Sequence, residues 1–308
     1  MMRVLVTGGA GYIGSALLSR LANIQSVEEI RVYDNLSHGR HGVFFGATKS
    51  SKIGGEHKIS FVRGDLLDRR TLASHLEGID VVIHLAAKVS TPFAHGDPHS
   101  FEQVNHWGTA ELSYIVEESN IAQVIYLSSA AVYGASEHPV DPQAYTKPRS
   151  WYGVSKLRGE KMLQRLSSHK KIHILRCANV YGFAPSARFE AVINRFLLQA
   201  HFERKITIQG KGEQQRAFIH IDNVISCILN LLGSPLESGV YNLVQSNRSI
   251  IDIAYALKDL YSDLEMIFVE QDMERHSLVV ELSPEISDHI KRIDFIDELK
   301  LFAQRFAF

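Results

Sequence analysis

Thr7-Gly8-Gly9-Ala10-Gly11-Tyr12-Ile13-Gly14 lies between an apolar run, Arg3–Val6, and a stretch with helical spacing, Ala16–Leu21. A glycine-rich turn between a strand and a helix has a definite physical use. One glycine permits the tight turn, one lets the backbone approach a pyrophosphate, and one lets helix pack on strand. The helix N-terminus then offers free N–H groups to phosphates. The glycines fit G-x-G-x-x-G on Gly9, Gly11 and Gly14, and G-x-x-G-x-x-G on Gly8, Gly11 and Gly14. Asp34 closes the next apolar run, 20 residues past Gly14. A carboxylate there accepts hydrogen bonds from a ribose diol and repels a 2′-phosphate, which favours NAD over NADP.

Moving outward, short apolar runs recur at Ile30–Tyr33, Ile59–Val62, Val81–Leu85, Val124–Leu127 and Ile172–Leu175. Several are apolar throughout, the pattern of parallel strands buried on both faces. Helix-length segments separate them. Asp97-Pro98 reads as an N-cap followed by proline at the first helical position, opening a helix to about Glu118. Trp151–Leu166 reads as another helix. The expected fold is α/β: a Rossmann-type doubly wound parallel sheet with a smaller C-terminal α+β substrate domain. The expected division is 1–177 for NAD binding, with 215–235 returning to it, and 178–308 for the nucleotide sugar. Past Ala178, Phe189–His201, Asp222–Leu232 and Ile250–Tyr261 look helical; Ile206–Ile208, Ala217–Ile219 and Val240–Leu243 look like strands. Ser37–Lys58, rich in Gly, Ser, His and Lys, interrupts the alternation as a long loop or partly helical excursion.

The 308 residues give a prior of about two domains at roughly 150 residues each. Lys plus Arg number 33 and Asp plus Glu 34, so the net charge is −1. That balance argues against a dedicated nucleic-acid binder. Cys177 and Cys227 form neither a disulfide framework nor a zinc motif, which points to a reducing, cytoplasmic setting. Met1–Val6 runs directly into the glycine turn, with no signal-peptide pattern. Ser119–Ser136 lacks charge but holds Asn120, Gln123 and Ser128-Ser129, too polar for a membrane span. No metal site is expected. His95 and His99 flank Gly96-Asp97-Pro98, which breaks any helix between them, and no third ligand has a motif spacing. His84 ends an apolar strand and reads as a buried structural histidine. Phe302, Phe306 and Phe308 read as core or interface, and Phe44-Phe45 as pocket lining or loop anchor.

Tyr152 and Lys156 stand at i and i+4 in Tyr152-Gly153-Val154-Ser155-Lys156, on one helix face. A nearby cation favours phenolate and lowers the tyrosine pKa from about 10 toward the working range. That makes a general base for a sugar hydroxyl. Ser129 follows a strand end, at the sheet edge where α/β ligands bind, and its hydroxyl can bond the same substrate oxygen. Asp65, also at a strand end, can take the adenine amino group.

With these pieces in order, the sequence resembles the extended short-chain dehydrogenase/reductase family, and within it the nucleotide-sugar epimerases and dehydratases. The resemblance rests on TGGAGYIG (7–14), YDNLSHG (33–39), GDLLD (64–68), HLAAKVS (84–90), VNHWGT (104–109), LSSAAVYG (127–134), YGVSK (152–156), RCANVYG (176–182), RAFIHIDNV (216–224) and YNL (241–243). It implies that Gly8, Gly11, Tyr12, Ile13, Gly14, Asp34, Asn35, Asp65, Leu66, Leu85, Ala86, Ala87, Asn105, Tyr152 and Lys156 touch NAD. It implies a catalytic set of Ser129, Tyr152 and Lys156, and substrate contacts from Lys88, Ser129, Ala130, Asn179, Arg216 and Arg275. Asn179 and Arg216 match positions that hold the substrate diphosphate, and a guanidinium suits phosphate oxygens. A homodimer through helices 98–118 and 151–166 is also implied.

Family 4,6-dehydratases carry an Asp-Glu pair directly after the catalytic Ser/Thr. Here Ala130 and Ala131 stand there, and methyl groups do no acid–base work. The implied activity is therefore NAD-dependent epimerisation at C4 of a UDP-hexose, through a transient 4-keto sugar. A nucleotide-4-keto-sugar reductase is the second reading, although Arg40 follows the wrong residue to favour NADPH. A non-catalytic dinucleotide sensor is the third. Two departures stand out. Ala178 replaces the aromatic residue most relatives have before this Asn, and Lys291–Phe308 lacks the usual tryptophan–proline ending.

Overall fold

Seven parallel strands form the main sheet: β1 (Met2–Thr7), β2 (Val27–Asp34), β3 (Ile59–Arg63), β4 (Val81–His84), β5 (Gln123–Ser129), β6 (Lys171–Cys177) and β7 (Gly239–Leu243). Their spatial order is β7-β6-β5-β4-β1-β2-β3. This is the doubly wound arrangement, with its switch point between β1 and β4, where a crevice opens at the strands' carboxyl ends. The structure is a computed structural model that describes residues 1–38, 52–53, 56–89, 97–270 and 276–307. Arg40, Phe44, Phe45, His95, Arg275 and Phe308 lie outside the described residues, as does most of the loop Ser37–Lys58.

The uniformly apolar runs became central strands because both their faces are covered. One face carries α1 (Tyr12–Leu21) and a helix at Ile221–Leu231; Val4, Val6, Leu17, Leu21, Ile225 and Ile228 meet there, all with no exposed surface. The other face carries α2 (Arg69–Leu76), α3 (98–118) and α4 (Trp151–Gln164), joined through Leu5, Leu72, Val82, Leu112, Val116 and Leu163. Each such aliphatic side chain contributes about 1.5–3 kcal/mol by leaving water.

The helix starts follow sequence signals. Asp97 accepts the Ser100 N–H at 3.1 Å with Pro98 behind it, and Ser150 accepts the Gly153 N–H at 3.1 Å to open α4. We call α3 the continuous rod made of Pro98–Phe101, a π-helical turn at Glu102–Trp107, and Gly108–Glu118. Such wide turns are frequent at functional sites. This one aims Asn105 at the strand ends.

The smaller region has its own core of Phe196, Leu197, Phe218, Leu257 and Leu299. Its strands Asn179–Tyr181, Gln215–His220 and Ser246–Ser249 form one sheet, and Lys205–Gln209 pairs with Glu265–Val269. Gly239–Leu243, read from sequence among the C-terminal elements, pairs in parallel with β6 and completes the main sheet. No helix among the described residues is long and apolar enough to cross a membrane.

Candidate active site

The glycine turn folds as its spacing requires. Gly8 has φ +70°, and a Cβ there would lie 2.5 Å from the Ala86 nitrogen. A Cβ on Gly14 would lie 2.5 Å from the Gly8 carbonyl oxygen, so only glycine lets α1 pack this closely. The Gly11 N–H donates to the Gly8 carbonyl at 3.0 Å. At Gly11 a Cβ would meet only that carbonyl, at 3.1 Å, so its other side opens to the cleft.

Gly8, Gly11, Tyr12, Ile13, Gly14, Asp34, Asn35, Asp65, Leu66, Leu85, Ala86, Ala87 and Lys88 all line one cleft. Asp34 accepts the Ala10 N–H at 3.0 Å and the Leu36 N–H at 2.8 Å. A carboxylate has about four acceptor positions, so capacity remains for a diol. Asn35 donates to Asp65 at 2.8 Å, tying the ends of β2 and β3 together. Asn105 stands differently. It is buried, accepts the Lys88 N–H at 2.8 Å, and donates to the Lys88 carbonyl at 2.9 Å and to Ser155 at 3.0 Å. Its amide is occupied in shaping the loop after β4.

Ser129 ends β5 and is seated by the Ala131 N–H, which donates to its Oγ at 3.2 Å. Its hydroxyl is the neighbour that most favours the Tyr152 phenolate. Tyr152 packs edge-on against Phe101, ring centroids 6.2 Å apart. Burial raises its pKa above the ordinary phenol value; the Ser129 hydroxyl and then the Arg188 guanidinium act in the opposite direction. Here the structure differs from the sequence expectation. Lys156 is buried, donates to the Leu127 carbonyl at 2.7 Å, and sits 4.1 Å above the Tyr126 ring. Burial pushes its own pKa down to about 7. The cation that favours phenolate here is Arg188, and burial outweighs it.

Behind the pair lies a buried network that sequence reading missed. Ser128 donates to Glu160 at 2.5 Å, and Arg176 pairs with Glu160 at 2.8 Å. Arg176 also donates to Tyr133 at 3.0 Å, and Tyr133 donates to Asn242 at 2.6 Å. An arginine inside an apolar strand and a carboxylate four residues past Lys156 were the available signals. Arg188 and Glu190, which line the cleft mouth, belong to no quoted motif. Their segment is docked on α1: Tyr12 donates to the Gly182 carbonyl at 2.6 Å, and the Ser186 N–H to Ser15 at 3.1 Å.

His84 is fully buried between Thr7 at 2.7 Å and Thr109 at 2.9 Å, and its pKa is pushed down to about 3 by burial and then by Lys156. Asn179 donates to the Ala217 carbonyl at 2.9 Å, beside Arg216, so the two stand on neighbouring strands. Arg216 reaches the carbonyls of Gln215 and His276. Ala130 is buried at the start of a short turn.

A glycine turn after β1, a carboxylate at the end of β2 and a serine–tyrosine pair at the end of β5 thus stand along the carboxyl edge of one sheet. A family model described as NAD dependent epimerase/dehydratase family matches residues 4–243. A Bacillus subtilis (strain 168) protein named an uncharacterized UDP-glucose epimerase, YtcB, is 31% identical over 271 residues, spanning 84% of this chain and 82% of its own. Human dTDP-D-glucose 4,6-dehydratase is 30% identical over 86% of this chain and 76% of its own. A UDP-glucuronic acid 4-epimerase from Bacillus cereus, solved with UDP-glucuronic acid and NAD, superposes with a TM-score of 0.86 at 26% identity, covering 98% of each chain. The chain belongs to the NAD dependent epimerase/dehydratase family.

Proposed function

We propose that this protein is an enzyme that inverts C4 of a nucleotide sugar, a UDP-hexose, using a retained NAD. The observation that carries the reading is the placement of Ser129 at the end of β5 and Tyr152 in the first turn of α4, with the serine hydroxyl favouring the phenolate. The cleft suits NAD: the glycine cradle admits no side chain at Gly8 or Gly14, and Asp34 offers an acceptor for a diol. Bound NAD would supply a hydride acceptor that holds and returns the hydride.

The chain's own residues do the rest. The Tyr152 phenolate takes the proton from the sugar 4-hydroxyl while Ser129 donates to the same oxygen. With hydride gone from C4, the product of that step is a 4-keto sugar. Tyr152 returns the proton once hydride has come back to the other face. The Arg188 guanidinium favours the phenolate, and Lys156 is proposed to seat the helix that carries Tyr152 through the Leu127 carbonyl. Ala130 and Ala131, next to Ser129, offer no carboxylate for elimination, which supports epimerisation over dehydration. Asn179 and Arg216, with Arg275, are proposed for the diphosphate and Lys88 for the substrate side. The proposed division of labour is 1–177 with 215–235 for NAD, and 178–308 for the nucleotide sugar.

A homodimer through α3 and α4 is proposed, supported by Trp107, Tyr114 and Trp151, which those helices leave exposed. Two buried free thiols, Cys177 and Cys227, support a reducing, cytoplasmic setting. The test is proton NMR with UDP-glucose, UDP-galactose and their N-acetyl forms, without added cofactor. Interconversion within a gluco/galacto pair supports the reading. Stoichiometric consumption of added reduced cofactor by a 4-keto sugar would replace it with the reductase.

A further inference from the structure

A segment from the C-terminal part of the chain is fastened to the helix that follows the glycine turn. Tyr12, the first residue of α1, donates to the Gly182 carbonyl at 2.6 Å. The Ser186 N–H donates to Ser15 at 3.1 Å. Asn194, in the helix Val192–Glu203, completes the brace. Its Oδ1 accepts the Gly182 N–H at 3.0 Å; its Nδ2 donates to the Tyr12 phenol oxygen at 3.2 Å and to the Arg188 carbonyl at 2.9 Å. Tyr12, Ser15 and Asn194 are buried, so water does not compete for these bonds.

The brace fixes 182–188 against the first turn of α1, and it brings Arg188 to the cleft that Gly11, Tyr12 and Ile13 line. That end of the cleft needs a cation. The helix N-terminus offers N–H groups to a pyrophosphate, but Thr7 to Ala16 contain no lysine or arginine. Among the described lining residues the cations are Lys88 and Arg188. The Lys88 backbone is tied to Asn105, whose amide also reaches Ser155 on α4, so Lys88 is anchored on the α4 side. Arg188 is anchored to α1 itself. Glu190 lies 4.0 Å from its Nε, an ion pair that orients the guanidinium. The brace uses the Arg188 carbonyl, which any residue would supply. A guanidinium at that position adds a planar fork suited to phosphate oxygens.

We propose that Arg188 is a cofactor-binding residue: its guanidinium pairs with the NAD pyrophosphate held by the glycine turn, and Tyr12, Ser15 and Asn194 position it there. The C-terminal part of the chain thereby helps to retain the cofactor. The proposal rests on the cofactor reading of the cleft and not on the identity of the sugar.

The experiment follows release of carbon-14-labelled NAD from the full-length holoenzyme, chased with excess unlabelled NAD. Calorimetry on nucleotide-free protein adds affinities for NAD and for adenosine, which has no phosphate. In Arg188→Met, release should quicken and NAD affinity should weaken by about tenfold or more, while adenosine affinity hardly changes. Arg188→Lys keeps the charge but loses the fork, and it should fall between the two. Asn194→Ala loosens the segment at a residue that does not line the cleft. It should also quicken release, and it should do so less when added to Arg188→Met than when added to native protein. If Asn194→Ala does not fold, the Arg188 variants decide the matter. Unchanged NAD release in Arg188→Met, or equal losses for NAD and adenosine, would overturn the proposal. Native protein that binds no NAD would instead overturn the cofactor reading on which it rests.

Discussion

Ser129 is seated beside Tyr152: its Oγ accepts the Ala131 N–H at 3.2 Å, and its hydroxyl favours the phenolate form of the tyrosine. The backbone therefore fixes the serine hydroxyl before any substrate arrives. An entering sugar hydroxyl can join the pair without rebuilding it, an arrangement that reduces the ordering left to binding. Tyr152→Phe removes the acid/base oxygen and keeps the ring against Phe101. Turnover should fall by about 10²–10⁴-fold. NAD affinity, read by calorimetry, should stay nearly intact; unchanged turnover would remove Tyr152 from the catalytic role.

Arg188 carries the second influence that favours the Tyr152 phenolate. Arg188→Met removes that charge and makes the phenol harder to ionise. The acid limb of the turnover profile should then move to higher pH, by up to about one unit. A limb that stays in place would show that the two groups do not communicate.

The glycine cradle has a sharp steric limit. Gly8→Ala puts a Cβ 2.5 Å from the Ala86 nitrogen at a φ of +70°. A left-handed alanine costs roughly 1–2 kcal/mol before any clash is counted. That cost falls on stability; because the clash also displaces the turn or the Ala86 backbone, which line the cleft, NAD binding should weaken as well. Calorimetric titration of native and variant protein measures it.

His84 makes stability depend on pH. Its folded pKa of about 3 lies below the ordinary 6.5, so the unfolded chain binds the extra proton first as pH falls. The stabilisation is fully present above 6.5 and is lost as pH drops from there toward 3, by about 1.4 kcal/mol per unit once the unfolded histidine is protonated. Urea unfolding at pH 7 and pH 5 should show the loss. His84→Gln should have a shallower pH dependence, while its own stability at pH 7 is lower because it disturbs the Thr7 and Thr109 hydrogen bonds.

Much of the fold was legible because its signals are local. The apolar runs at Arg3–Val6 and Val81–Leu85 mark doubly covered strands, and Asp97-Pro98 announces its helix. Gly8, Gly14 and Asp34 mark the cleft because their spacing is itself the constraint. What escaped depends on contacts between distant positions. Ser128 meets Glu160, and Glu160 meets Arg176, only after β5, α4 and β6 have packed. Gly239–Leu243 looks like any short strand, and only its parallel register beside β6 makes it part of the main sheet. The i, i+4 spacing put Tyr152 and Lys156 on one face, but the Leu127 carbonyl decides where the ammonium goes. Arg188 influences the phenol by its charge from a segment with no motif.

The central claim is that hydride leaves and returns to the same carbon under the control of Tyr152. The direct measurement is proton and deuterium NMR of UDP-glucose deuterated at C4, incubated with the purified protein in ordinary water without added cofactor. The account expects UDP-galactose with the deuterium still at C4. Product that has lost its deuterium to solvent, or a UDP-glucose pool that never changes, would contradict it.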